Sequence, residues 1–131
     1  MEYPKLSDLN GKTIREISGL KEGSESVLID TTDGYQYEFY HSQDCCESVS
    51  LIDFESDDLT GALITLAEEV SNLDVGDASE YGNDSHTWTF YKIETNKGGL
   101  WMRWLGQSNG YYSESVDFRC CKLNPPPVTL D

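Results

Sequence analysis

A polar turn that occurs twice constrains this chain more than any other feature. His41-Ser-Gln-Asp-Cys-Cys-Glu-Ser-Val49 lies between apolar, strand-like flanks, and residues 42–49 align with Ser108-Asn-Gly-Tyr-Tyr-Ser-Glu-Ser-Val116 once one serine is inserted. Each copy has similar neighbours. Ahead of the first, residues 26–32 and 35–41 are rich in β-branched and aromatic side chains. They flank Thr32-Asp33-Gly34, a hairpin signal because glycine takes positive φ without steric cost. Tyr35, Tyr37 and Phe39 share one face of the second run and Gln36, Glu38 and Tyr40 the other, the pattern of a half-buried strand. Val49, Leu51 and Phe54 follow as another strand. Ahead of the second copy, residues 86–95 alternate Trp88 and Phe90 with Tyr91 and Ile93, Asn96-Lys-Gly-Gly99 reverses the chain, and Leu100-Trp-Met-Arg-Trp104 returns. Glu114-Ser-Val-Asp-Phe118 is the strand after it.

Two hairpin-loop-strand units predict a mainly β protein, with a β-rich α+β arrangement as the alternative. The units would form a sandwich, an open barrel or a curved sheet. One short helix is expected near residues 57–62: Ser56 or Asp57 would cap it, and Leu59, Leu63, Leu66, Val70 and Leu73 fall at helical spacing. Ile64-Thr-Leu66 is equally strand-like and Gly61 weakens a helix, so residues 63–71 stay open between the two. Asn10-Gly11 is a turn ahead of a short alternating strand at 12–17, and residues 72–85 read as an exposed acidic loop. The 131 residues are expected to form one domain, with a core over about 10–123 and a proline-rich tail at 124–131.

Charge is the second constraint. Nine basic residues face 24 acidic ones, a formal net charge of −15. Between Lys21 and Lys92 there is no lysine or arginine, and 17 of the 24 carboxylates lie there; the other seven share the flanks with all nine basic residues. Such a domain holds a strong negative potential over part of its surface, which disfavours direct nucleic-acid binding and attracts a basic partner. No apolar run approaches the length of a membrane helix, and the N-terminus has neither a basic start nor an apolar segment, so the expected compartment is a cytoplasm. The vicinal pairs Cys45-Cys46 and Cys120-Cys121 are expected there as thiols.

Several strings occur together: Gly11-Lys-Thr-Ile14, the Thr-Asp-Gly turn, His41-Ser-Gln-Asp-Cys-Cys-Glu-Ser-Val49, Asp58-Leu-Thr-Gly61, Ala67-Glu-Glu69, Thr87-Trp-Thr-Phe-Tyr-Lys92, and Arg103-Trp104 with Ser108-Asn-Gly-Tyr-Tyr-Ser-Glu114. With them the chain resembles a family of small bacteriophage and prophage proteins of unknown function marked by Gln-Asp-Cys-Cys-Glu. The resemblance spans roughly residues 10–118 and implies a phage-related origin and expression inside a bacterium. It implies no catalytic residue, and Cys120-Cys121 and the proline-rich tail lie outside its pattern.

The residue types at the first turn also suit chemistry. Cys45, Cys46 and His41, with Cys120, Cys121 and His86, include the ligand types of zinc, but adjacent cysteines on a strand point to opposite faces and do not make the usual Cys-x2–4-Cys grip. Cys45 or Cys46 as a nucleophile, His41 as its base and Asp44 or Glu47 as orienter would form across a turn, yet the second copy keeps the shape without the histidine. Gly106-Gln-Ser-Asn-Gly110 fits a nucleophile elbow in spelling only, because no helix follows. The spacing of Asp53, Glu55, Asp57 and Asp58 fails the calcium loop. Asp44, Glu47, Asn109 and Glu114 are therefore expected to bond backbone N–H groups within the two turns, with His41, Cys45 and Cys46 as part of the same structural motif. One cysteine of each pair is expected in the core. Trp88, Phe90, Trp101, Trp104, Tyr111 and Tyr112 are expected mostly in the core, and any left exposed would anchor a protein partner.

The expectation is a non-enzymatic, cofactor-free and metal-free protein. Its acidic face, with Glu55, Asp57, Asp58, Asp74, Asp77, Glu80 and Asp84 as contacts, would dock on the nucleic-acid-binding surface of a bacterial host protein, as a counter-defence inhibitor of the anti-CRISPR or nuclease-inhibitor type. The alternatives are a small metal- or thiol-dependent enzyme centred on His41, Cys45 and Cys46, or a structural or regulatory phage protein.

Overall fold

A computed structural model describes residues 4–71, 85–108 and 112–123. Eight strands follow a 3-10 turn at Leu6–Leu9: β1 (Ile14–Ser18), β2 (Ser26–Thr31), β3 (Tyr35–Tyr40), β4 (Ser48–Ser56), β5 (Ile64–Ser71), β6 (Ser85–Thr95), β7 (Gly98–Ser108) and β8 (Asp117–Lys122). They form two four-stranded sheets, β1-β2-β3-β8 and β5-β6-β7-β4, with every paired neighbour antiparallel. Each sheet is therefore a three-stranded meander completed by a strand from the other half of the chain. The loop of residues 41–47 carries the chain from β3 into the second sheet, and the stretch between β7 and β8 carries it back.

The repeat reaches further than the two polar turns. Leu9-Asn-Gly-Lys-Thr-Ile14 and Leu59-Thr-Gly-Ala-Leu-Ile64 precede β1 and β5, and they exchange backbone bonds reciprocally. Gly11 N–H donates to Ile64 O (2.8 Å) and Gly61 N–H to Ile14 O (2.7 Å); Ile64 N–H donates to Lys12 O and Ile14 N–H to Ala62 O, both 2.8 Å. Both glycines sit at positive φ, 85° and 80°, where a side chain would be strained. The four flanking residues Leu9, Ile14, Leu59 and Ile64 are buried, so this corner joins the sheets and seeds the core between them.

That corner overturns the helix expected near 57–62. The segment is a turn at Thr60 and Gly61, because the backbone of Gly61 and Ala62 is committed to Ile14 across the corner and cannot close helical bonds along the chain. Residues 63–71, open in the sequence, form β5 from Ile64. The strand expected from Glu114 starts at Asp117 instead, since the side chain of Glu114 and the carbonyl of Ser115 are both engaged by other groups, as described below. The other expectations for strands and the Asp33-Gly34 hairpin agree with the structure, as does a mainly β fold of two similar units.

The core fills the space between the sheets. Val27, Ile29, Tyr37 and Phe39 face Leu51, Tyr91, Ile93, Leu100, Met102 and Trp104. Phe39 meets Tyr91 of the opposite sheet edge-on, at 4.8 Å between ring centroids, and Phe118 of its own sheet at 5.0 Å. β6 and β7 are apolar on both faces. Trp88 and Leu105 are buried yet lie outside this central cluster, and by strand alternation they share the outer face with Phe90 and Trp101.

Candidate functional site

The first polar turn is built around one carboxylate. Glu47 is 4% exposed. Its Oε2 accepts the Asp44 N–H (2.9 Å) and His41 Nε2–H (2.7 Å), and its Oε1 accepts the Cys45 N–H (2.9 Å) and an N–H of the Gln43 amide (3.3 Å). Gln43 also donates to the Glu47 carbonyl at 2.6 Å. Four donors converging on a buried carboxylate hold it ionised, and its pKa falls to about 2: the His41 bond contributes most, and the Cys45 and Asp44 N–H groups add to it against the opposing effect of burial.

The charge state of His41 follows from geometry. Nε2 faces the Glu47 carboxylate, and Nδ1 faces the Ser115 carbonyl at 2.8 Å. Both partners accept only, so both ring nitrogens must donate, which requires the imidazolium. Burial acts against the charge, but the Glu47 bond, the Ser115 carbonyl and the charges of Glu47 and Asp117 outweigh it and raise the His41 pKa. Asp117 also accepts the Ser42 N–H at 2.9 Å. The turn is thus a clamp: an ion pair with 3% and 0% exposed side chains that locks the β3–β4 crossing to the β7–β8 crossing.

In the second copy Glu114 stands at the place of Glu47. Among the described residues Glu114 accepts hydroxyl protons from Thr87 (2.9 Å) and Ser108 and no backbone N–H. Gly106 is required beneath it, since a Cβ there would lie 2.2 Å from the Glu114 carbonyl oxygen. Asp44 likewise takes part through its own N–H and not through its carboxylate. Asn109 lies outside the described residues.

The cysteines depart from expectation. Cys45 and Cys46 are joined to each other as a vicinal disulfide and both are exposed, where thiols and one core cysteine were expected. The premise of alternating side chains fails here because residues 41–47 form a bent loop, not a strand. It holds for the second pair: on β8, Cys120 packs against the core opposite Tyr37 while Cys121 is exposed. In this arrangement neither sulfur of the first pair is a thiolate, and His41 keeps no lone pair for a base. Among the described residues no three His, Cys, Asp or Glu side chains converge as metal ligands.

With this geometry in hand, comparison with known proteins places the chain. A domain of unknown function, DUF7448, matches residues 7–118. The chain belongs to that family. The matched stretch runs from the 3-10 turn to the second residue of β8, and so covers both polar turns and the corner between the sheets. No curated protein and no solved structure matches.

Of the residues expected to meet a partner, Glu55, Asp57 and Asp58 are exposed and adjacent, at the end of β4 and just beyond it. Asp57 also has an internal duty, accepting the Gly99 N–H at 2.9 Å, and Asp58 accepts the Thr60 N–H at 3.2 Å. Asp74, Asp77, Glu80 and Asp84 lie outside the described residues. Ser115 and Asp117 were missed as partners of the first turn.

The clamp gives a pH prediction. His41 binds its proton more tightly folded than unfolded, so its contribution is complete below its ordinary value of 6.5 and is lost as pH rises through the raised folded value. Glu47 has the opposite sign: its contribution is complete above 4.5 and is lost as pH falls toward about 2. Urea midpoints measured across pH should therefore fall on both sides of the window between 4.5 and 6.5, and His41→Gln should remove the fall on the alkaline side. An unchanged alkaline limb in that variant would contradict the assignment.

Proposed function

We propose that this is a non-enzymatic binding protein of phage origin that works inside a bacterium. It docks an acidic face on the nucleic-acid-binding surface of a host protein, in the manner of an anti-CRISPR or other nuclease inhibitor. The observation that carries the reading is how unevenly charge is cancelled. Lys12, Arg15, Lys92, Arg103 and Arg119 are paired within the fold to Asp33, Asp30, Glu94, Asp53 and Glu38. Five of the nine basic residues are thereby used up, and the acids they do not reach include Glu55, Asp57 and Asp58. A site lined with lysine and arginine to receive phosphates would receive these carboxylates instead. Asp74, Asp77, Glu80 and Asp84 belong to the same lysine- and arginine-free stretch of sequence.

Association driven this way is fast and screened by salt. Binding to a basic nuclease, followed by surface plasmon resonance, should lose association rate steeply as salt rises. The variant E55K/D57N/D58K should weaken it by at least about tenfold; asparagine at 57 keeps an acceptor for Gly99 while removing the charge. Equal affinity at low and high salt, or in the variant, would sink the proposal.

A further inference from the structure

Two arginines in this fold are held the same way. Arg119 on β8 lies over the Tyr40 ring at 4.2 Å and pairs with Glu38 of the neighbouring strand at 2.5 Å. Arg103 on β7 lies over the Trp88 ring at 5.0 Å, with Asp53 of the neighbouring strand at 3.8 Å. Each guanidinium has an aromatic face beneath it and a carboxylate beside it, which suits its planar, weakly hydrated charge.

The same two partners recur on the outer face of the second sheet without a guanidinium. Glu55 on β4 and Trp101 on β7 are directly paired, two residues along from Asp53 and Arg103. Trp101 is stacked on Phe90 at 5.9 Å between ring centroids and 17° between planes, so the two rings form one apolar stack beside Glu55. Among the described residues no cation pairs with Glu55. Lys92, on the far side of Trp101, is held by Glu94 at 2.9 Å, and Lys97 donates to the Thr60 carbonyl. Gly99 leaves the floor beside Trp101 without a side chain, and the result is an open groove of about 450 Å3 bordered by Glu55, Asp57, Phe90 and Trp101 on one side and by the Lys92–Glu94 pair on the other.

We propose that this groove receives an arginine side chain from the basic protein partner, its guanidinium stacking on the Trp101 ring and pairing with Glu55. The inference rests on the docking reading above and makes it specific. It names arginine over lysine, because only a planar cation can lie flat on the indole and offer a side-on pair of N–H donors to the carboxylate. It names a protein over a free small molecule, because the surrounding uncancelled carboxylates favour an occupant with more than one positive charge. Trp101 is the anchor, in keeping with the weight that central tryptophans carry in interfaces.

The test uses arginine and lysine homopeptides of equal length as probes, with free arginine as a third, titrated into isotopically labelled protein at low salt. The arginine peptide is expected to shift the Trp101 indole N–H and to bind at least about tenfold more tightly than the lysine peptide. Trp101→Ala and Glu55→Gln should each remove most of that preference. Gly99→Val, whose Cβ would come 3.4 Å from the Ile93 carbonyl oxygen, should do so by filling the floor while leaving ring and carboxylate in place. Glu55→Gln is a change at an exposed position and keeps the test valid should Trp101→Ala fail to fold. Equal, salt-sensitive binding of both peptides, unchanged in the three variants, would overturn the groove and leave the acidic face standing. No binding of either peptide at low salt would overturn both. Free arginine binding as tightly as the peptide would make this a small-molecule site and overturn the docking role.

Discussion

Replacing Phe39 by alanine is expected to cost about 3–5 kcal/mol, the range for deleting a fully buried phenylalanine with incomplete collapse of the cavity. Phe39 is 0% exposed and is the ring through which the sheets touch: it meets Tyr91 across the interior and Phe118 on the adjoining strand. Against a typical stability of about 5–15 kcal/mol, that loss leaves a marginal fold. Urea unfolding should show the midpoint falling while the slope is kept, as for a pure loss of stability. Phe118→Ala is the comparison. Phe118 is only partly buried and packs at the rim of the same cluster, so it should cost clearly less. Equal losses, or a Phe39 loss below about 1 kcal/mol, the level of an average substitution, would mean that the sheets do not depend on this ring.

Phe39 also shows what the sequence disclosed and what it hid. Its alternation with Tyr35 and Tyr37 was enough to assign a strand and its inward face, because a period of two is a local property. The pairing of that strand with β8 was not legible, since it depends on contacts between residues as far apart as Phe39 and Phe118. The polar turns were recognised as a repeated shape for the same local reason. What they do is to swap the fourth strand of each unit into the opposite sheet, and this follows only once Gly11 and Gly61 are seen to bond across the corner. The repeated Leu-x-Gly-x-x-Ile was present in the sequence. The leucine spacing after Asp58 competed with it and suggested a helix, and the reciprocal backbone bonds decide for the corner. On the functional side, exposure of Glu55, Asp57 and Asp58 was legible from charge alone. The groove beside Glu55 was not, although one clue was printed in β6: a strand with Trp88 and Phe90 on one side and Tyr91 and Ile93 on the other has more apolar surface than a single core can cover.

The largest loss from any polar residue is expected at Glu47. Removing its carboxylate with Glu47→Ala strands the Asp44 and Cys45 N–H groups and leaves the His41 imidazolium facing the Ser115 carbonyl with only the partly exposed Asp117, 4.0 Å away, as counter-charge. A buried cation whose partner has been deleted is much worse than a pair never made. Glu114→Ala, at the equivalent place in the second unit, removes, among the described residues, the acceptor of two hydroxyls, which can turn to other partners, and leaves no buried cation behind. Thermal unfolding should therefore rank Glu47→Ala well below Glu114→Ala, although the two turns align in sequence. The His41 variant separates charge from shape. If the ion pair is the clamp, Glu47→Gln should be far less damaging in a His41→Gln background than in the native chain, the signature of direct coupling in a double-mutant cycle. Additive losses would mean that the turn is held by its backbone bonds to Glu47 alone, and the imidazolium would then be a passenger of the fold.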